Sequence, residues 1–147
     1  MWKLPPKAKI FEALSAVGDG RVKVTGETNA EVTSSSLDKT YHVEWNEDFT
    51  RVTSNDNASH WQGYLGYPIL AVLMEKGKLA YDKAVAGDLA GIPWKVVNKR
   101  FKNDYDKAIE SVLGSLKDKG VDTGAVRDEV ERIMKQIEQL SLEKLAG

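Results

Sequence analysis

Residues 55–74 read NDNASHWQGYLGYPILAVLM, and they mark the point at which the chain changes from strand-like to helical patterns. Pro68 opens an apolar run that ends at Met74, and proline is favoured in the first turn of a helix. Gly63 and Gly66 each precede a tyrosine within the same stretch. The pattern therefore predicts a structural joint between a sheet and a helical region.

The part of the chain before this joint predicts one helix and a small sheet. Pro5 and Pro6 favour a helix start, and apolar residues follow at helical spacing: Ile10, Phe11, Leu14 and Val17. Strand-like alternation follows around residues 22–24, 30–36 and 49–54, and it is clearest at Tyr41, Val43 and Trp45. We predict an α+β fold in which the N-terminal helix packs on a three- or four-stranded antiparallel sheet.

The part of the chain after the joint predicts helices. Helical patterns cover about residues 80–90, a segment beginning at Pro93, a segment from Tyr105 to Leu116, and a last helix capped by Asp122 or Thr123. We divide the chain into an α/β region, 1–77, and a helical region, 78–147, which ends in a helix hairpin; one compact domain is the alternative. The hairpin would cover either the sheet or a second copy of the chain, so residues 104–145 are candidates for protein interaction or self-association.

Bulk composition narrows the class of protein. The 147 residues include no cysteine, and the formal net charge is −1. The sequence therefore offers no disulfide or thiolate metal site and favours a reducing cytoplasm. Its longest apolar run is far shorter than the roughly 20 residues that cross a bilayer. We expect a soluble cytoplasmic protein without membrane partners.

A local excess of positive charge lies within residues 78–103, which contain six basic and two acidic side chains. Residues 82–101 have a helix-turn-helix-like layout, with a turn containing glycine at 90–93 and a second helix after it. This helix would contact nucleic acid through Lys95, Asn98, Lys99, Arg100 and Lys102. Lys and Arg neutralise phosphates, whereas Asn can pair with adenine. The alternative is an ordinary helix pair with a basic solvent face.

Four aromatic side chains form a second candidate site: Trp61, Tyr64, Tyr67 and Trp94. Such rings provide stacking platforms for single-stranded nucleic acid. They also bury large apolar areas, so a role in the hydrophobic core is the alternative.

The order of elements from residue 40 to residue 74 resembles that of the SWIM domain. There, a β-hairpin leads to a Cys-x-Cys pair, a short loop and a Cys-x-His pair at the start of an apolar helix. Asn55, Asn57, Gly66 and Pro68 stand at the four metal-ligand positions. The resemblance implies a zinc-free relative that binds DNA or protein, with Trp61, Tyr64 and Tyr67 filling the space that a metal would organise.

Motifs for catalysis are absent from the sequence. It has no nucleophile elbow, no Walker loop and no dinucleotide-binding glycine pattern. His42 and His60 have carboxylates nearby in sequence but lack the spacing of a zinc site. We therefore predict no cofactor, no metal and a non-catalytic binding module, with nucleic acid as the favoured partner. The alternatives are a protein-interaction module or, less favoured, a small enzyme with a site near His60.

Overall fold

The computed structural model describes residues 2–146 and confirms the α+β fold. The N-terminal helix follows the two prolines, a small sheet follows that helix, and helices occupy most of the second half. In chain order the elements are α1 (Lys7–Gly18), β1 (Val22–Val24), β2 (Asn29–Thr33), β3 (Thr40–Trp45), β4 (Arg51–Ser54), a π-helical turn (Ala58–Gln62), α2 (Tyr67–Glu75), α3 (Lys83–Asp88), α4 (Trp94–Arg100), α5 (Tyr105–Asp118), α6 (Thr123–Glu138) and β5 (Glu143–Lys144).

The sheet has the order β1-β2-β3-β4-β5. The first four strands are antiparallel neighbours, with Ala30 opposite Val43 and Trp45 opposite Val52. One face of these strands is buried because alternate side chains point to the same side. The fifth strand is parallel to β4 and pairs Arg51 with Glu143. Two residues are too few to produce a periodic pattern, so the sequence did not indicate this strand.

Helix α2 is the centre of the structure. Its residues from Pro68 to Met74 are all buried, as expected for a helix that is apolar on every side. It contacts β1, β2, β3 and β4 on one side and α1 on the other. The side chains of the two helices and the sheet therefore belong to one hydrophobic core.

The C-terminal helices pack on α1 rather than on the sheet. Helix α1 contacts α3, α5 and α6 as well as α2, and its residues from Ile10 to Ala16 are all buried. Predicted helix starts at Pro93 and Asp122 are confirmed, because α4 begins after Pro93 and Asp122 caps α6. The helix predicted over residues 80–90 is shorter than expected. It starts at Lys83, because Asp82 accepts a hydrogen bond from the backbone N–H of Ala84 and acts as the N-cap.

The joint between sheet and helices is held by a buried carboxylate. Asp56 accepts hydrogen bonds from Ser54 Oγ (2.5 Å) and from the backbone N–H of Ser59 (3.0 Å). Ser59 Oγ in turn accepts from the backbone N–H of Gly66 at 3.1 Å. The interpretation that Trp61 fills this space is wrong, because its side chain is 74% exposed. The hydrogen bonds of Asp56 and Ser59 thus connect β4 to the start of α2.

No helix within residues 2–146 is both long enough and apolar enough to cross a membrane.

Gly66 is required by close packing at this joint. A Cβ atom at this position would overlap Asp56 Oδ2 and Ser59 Oγ, whereas a Cβ at Gly114 on α5 would meet no atom within 4 Å. We expect Gly66→Ala to lower the free energy of unfolding by about 1–3 kcal/mol, the usual cost of overpacking. Gly114→Ala, the matched control, should raise it by about 0.4–1 kcal/mol. Urea unfolding measures both, and equal stability of Gly66→Ala and the parent chain would contradict this packing.

Candidate functional site

Helix α4 has an inner face that is joined to α1. Trp94 and Asn98 lie four residues apart and therefore on the same side of the helix. Trp94 Nε1 donates to Ser15 Oγ at 2.7 Å, and Asn98 Nδ2 donates to Glu12 Oε1 at 3.0 Å. Asn98 is 8% exposed, so its amide is directed into the protein.

Lys95 joins α4 to the turn between β2 and β3. Its backbone N–H donates to Ser35 Oγ at 3.1 Å, and its Nζ donates to the two carboxylate oxygens of Asp38 at 3.0 and 3.1 Å. Hydrogen bonds from Ser36, Lys95 and Ser34 lower the pKa of Asp38. The Lys95–Asp38 pair lies at the surface, where such pairs contribute little to stability.

The outer face of α4 and the turn after it carry three free cations. Lys99, Arg100 and Lys102 are exposed, and none of them forms an ion pair within the part of the chain that the structure describes. The nearby Asp104 instead caps α5, accepting from the backbone N–H of Lys107 at 3.2 Å. Lys102 and Asn103 both have positive φ, 53° and 64°, and this break ends α4 before α5 begins.

A polar cavity of about 200 Å³ lies between α1, the end of the sheet, the start of α2 and α4. Three aromatic side chains, three cations and one carboxylate are among its lining groups. The full set of lining residues is Lys9, Glu12, Arg21, Ser34, Ser35, Tyr41, Tyr67, Trp94, Lys95, Asn98 and Asn103. The cavity therefore brings together side chains that are far apart in sequence.

Glu12 is the buried charged group of this cavity. Its Oε1 accepts from Asn98, whereas its Oε2 is buried and receives no hydrogen bond from the described residues. The Nζ of Lys9 lies 3.3 Å from Oε2 and is the ionic partner of this oxygen. Burial raises the pKa of Glu12 against the opposing effect of Lys9. Burial alone would lower the pKa of Lys9, but Glu12, Tyr105 and Tyr64 raise it above its usual value.

Two tyrosines form another part of the cavity wall. The rings of Tyr41 and Tyr67 meet edge to face, with centroids 6.0 Å apart. Burial raises the pKa of the Tyr67 phenol above its usual value. Arg21 also lines the cavity, where its Nη1 donates to the carbonyl of Thr33 at 2.7 Å and its Nε to Asp19 at 3.0 Å.

The structure brings together only part of the predicted aromatic site. Tyr67 and Trp94 line the same cavity, and Tyr64 is close enough to Lys9 to affect its pKa. Trp61 lies elsewhere, on the π-helical turn, with its ring 4.4 Å from that of His60.

The two histidines lie along one shallow groove. His42 and His60 line it with Glu44, Thr53, Ser54 and Asn55. His42 Nδ1 is 3.8 Å from Glu31. Residues 2–146 contain no cluster of three or more His, Cys, Asp or Glu side chains arranged to hold a metal ion.

The apolar stripes of the last two helices are covered within the chain. Val126, Val130, Ile133 and Ile137 of α6 are all at most 4% exposed, and α6 contacts α1, α3 and α5. The predicted hairpin therefore forms part of this chain's own core.

Sequence reasoning missed Lys9, Glu12, Arg21 and Tyr41 as parts of a site. One signal was present for Glu12, because it is a lone carboxylate inside the apolar run IFEALSAV of α1. A charged residue within a buried stretch is usually paired or functional. The other three lie in ordinary amphipathic patterns, and only folding brings them to the cavity.

The altered pKa values can be measured in one titration. We expect the carboxyl of Glu12 to titrate above its ordinary pKa and that of Asp38 to titrate below its own. Carbon-detected NMR of the side-chain carboxyls over a pH series reports both midpoints. A Glu12 midpoint at or below the ordinary value would contradict the buried environment.

The raised pKa of Glu12 also predicts how stability depends on pH. The folded state holds this proton more tightly than the unfolded state, so the contribution of Glu12 is fully present below the unfolded pKa. That contribution is lost as the pH rises through the folded pKa. Glu12→Gln removes this dependence, so the unfolding free energy of the variant should rise relative to the parent chain over that pH window. A difference in unfolding free energy between the two proteins that does not change with pH would contradict this prediction.

The chain matches a model of a protein family. A family model described as "Uncharacterised conserved protein UCP014422" matches residues 2–143. Neither a curated protein nor a solved structure matches the chain. Because the family model spans α1 to the start of β5, the chain belongs to the family described as uncharacterised conserved protein UCP014422.

Proposed function

We propose that this protein is a non-catalytic binding module for nucleic acid. The observation that carries the proposal is the group of three exposed, unpaired cations at α4, formed by Lys99, Arg100 and Lys102. Cations already paired with carboxylates would have to lose those partners before they contact phosphate. These three have no such partner within residues 2–146, so they are free to neutralise a phosphate backbone.

The rigid support of α4 adds to the proposal. Trp94, Lys95 and Asn98 fix the helix to α1 and to the β2–β3 turn through hydrogen bonds. A short helix held in this way presents Lys99 and Arg100 in a fixed position, which lowers the entropy that binding must overcome.

The same contacts support a proposal about what α4 recognises. Asn98, the side chain suited to reading adenine, is occupied by its hydrogen bond to Glu12. Phosphate contacts position a protein on nucleic acid but carry no base sequence. We therefore propose that the outer face of α4 binds the backbone without regard to sequence.

The proposed interface predicts a strong effect of charge reversal. The double variant Lys99→Glu, Arg100→Glu should bind a fluorescein-labelled single-stranded oligonucleotide at least about tenfold more weakly at low salt. The slope of log K against log salt should also decrease by about one for each lost phosphate contact. Fluorescence anisotropy over a salt series measures both quantities.

A matched control separates this interface from the effect of net charge. Lys83 and Lys135 are exposed and lie on α3 and α6, and changing both to Glu alters the net charge by the same amount. This variant should keep its affinity within about twofold, since distant surface charges are screened by salt. Equal losses in the two double variants, or no binding by the parent chain at low salt, would refute the interface.

A further inference from the structure

We propose that the polar cavity beneath α4 binds the base of a nucleotide, with Glu12 Oε2 accepting a hydrogen bond from a base N–H. The inference rests on the proposed function and deepens it, because it assigns base contact to a site different from the basic face of α4. Glu12 is 8% exposed, and its Oε2 receives no hydrogen bond from residues 2–146. The Nζ of Lys9, 3.3 Å away, is the ionic partner of Oε2. A carboxylate oxygen can accept more than one hydrogen bond, so Oε2 can also accept from a donor that a ligand brings.

The size and walls of the cavity favour a planar ring. Its volume of about 200 Å³ is below the roughly 300–1,000 Å³ typical of sites for drug-sized ligands, so it suits one ring system. Tyr41, Tyr67 and Trp94 line it, and aromatic side chains are the usual partners of unstacked bases. Nucleobases combine a flat apolar face with N–H donors at the edge, which matches these walls and Glu12.

The charges around the cavity favour a ligand that also carries a negative group. Lys9, Arg21 and Lys95 line it together with a single carboxylate. Lys9 is close to Glu12, and Arg21 is bonded to Asp19 and Thr33. Among the described residues, the side chain of Lys95 pairs with the exposed Asp38 alone, and it can exchange this weak pair for a phosphate. Phosphate bound at Lys95 would lie on the same helix as the free cations Lys99 and Arg100.

Calorimetric titration with the four nucleoside 5′-monophosphates tests the cavity directly. We expect at least one of them to bind the full-length chain with a submillimolar dissociation constant at low salt. Free ribose 5-phosphate, which has the phosphate but no base, should bind at least about tenfold more weakly, because it makes no hydrogen bond to Glu12. Failure of all four nucleotides to bind, or equal affinity for ribose 5-phosphate, would overturn the assignment. Preferential binding of a free amino acid, whose ammonium would pair with Glu12, would overturn it as well.

The Glu12→Gln variant tests whether Glu12 is the residue that contacts the base. This nearly isosteric change keeps a side chain that can bond to Asn98 but removes the carboxylate, and it should weaken nucleotide binding by about tenfold or more. Glu138→Gln, on the exposed side of α6, is the matched control and should bind like the parent chain. Unchanged affinity in Glu12→Gln would overturn the proposal.

An NMR measurement keeps the test independent of how the variant folds. Titration of the isotopically labelled parent chain with the tightest-binding nucleotide should shift the indole N–H of Trp94 and the side-chain amide of Asn98. The indole N–H of Trp61, which lies outside the cavity lining, should stay in place. Shifts at Trp61 without shifts at Trp94 and Asn98 would overturn the cavity as the site.

Two further comparisons identify the source of the base and separate this proposal from the first. If Glu12→Gln weakens binding of oligonucleotide and mononucleotide alike, the cavity takes a base from a strand. If it weakens only mononucleotide binding, the cavity serves free nucleotides. The Lys99→Glu, Arg100→Glu variant should lose much more affinity for the oligonucleotide than for the mononucleotide, since neither residue lines the cavity, although Lys99 lies one helical turn from Lys95. The loss of oligonucleotide binding in this variant therefore tests the α4 interface, and the loss of mononucleotide binding in Glu12→Gln tests the cavity.

Discussion

The burial of every α2 residue from Pro68 to Met74 is the constraint on which the rest of the structure depends. A helix that is apolar on every side needs a cover on every side, and this chain provides one with the sheet on one side and α1 on the other. Helix α1 in turn becomes a largely buried element, because α3, α5 and α6 also pack against it. The Asp56 hydrogen bonds fix where α2 starts, and they therefore fix how the sheet and the helices meet.

Burial of α1 has an electrostatic consequence, because this helix carries Glu12. An isolated carboxylate in the interior is costly unless it is paired and hydrogen-bonded. Here Lys9 supplies a charge and Asn98 supplies one hydrogen bond, while one oxygen receives no hydrogen bond from the described residues. An apolar side chain of similar size would leave Asn98 and Lys9 without this partner, so Glu12 also helps to hold α4 on α1. Its second oxygen is the feature on which the proposed ligand contact rests.

Helix α4 connects this interior site to the surface. Its inner residues Trp94 and Asn98 bond to α1, and its outer residues Lys99 and Arg100 meet solvent. A seven-residue helix is too short to be stable by itself, so these tertiary bonds determine both its position and the direction of its cations. The positive-φ residues Lys102 and Asn103 then end the helix and return the chain to α5.

The sequence by itself determined most of the helices and the first four strands, since their signals are local. Prolines and aspartate caps defined helix starts, and alternation at Tyr41, Val43 and Trp45 defined β3. It also identified the exposed cations of α4, whose charge is visible without a fold. Tertiary structure alone decided that Asn98 faces Glu12, that β5 joins the sheet, and that Lys9, Arg21, Tyr41 and Tyr67 surround one cavity. These contacts join residues distant along the chain, and no local propensity encodes them.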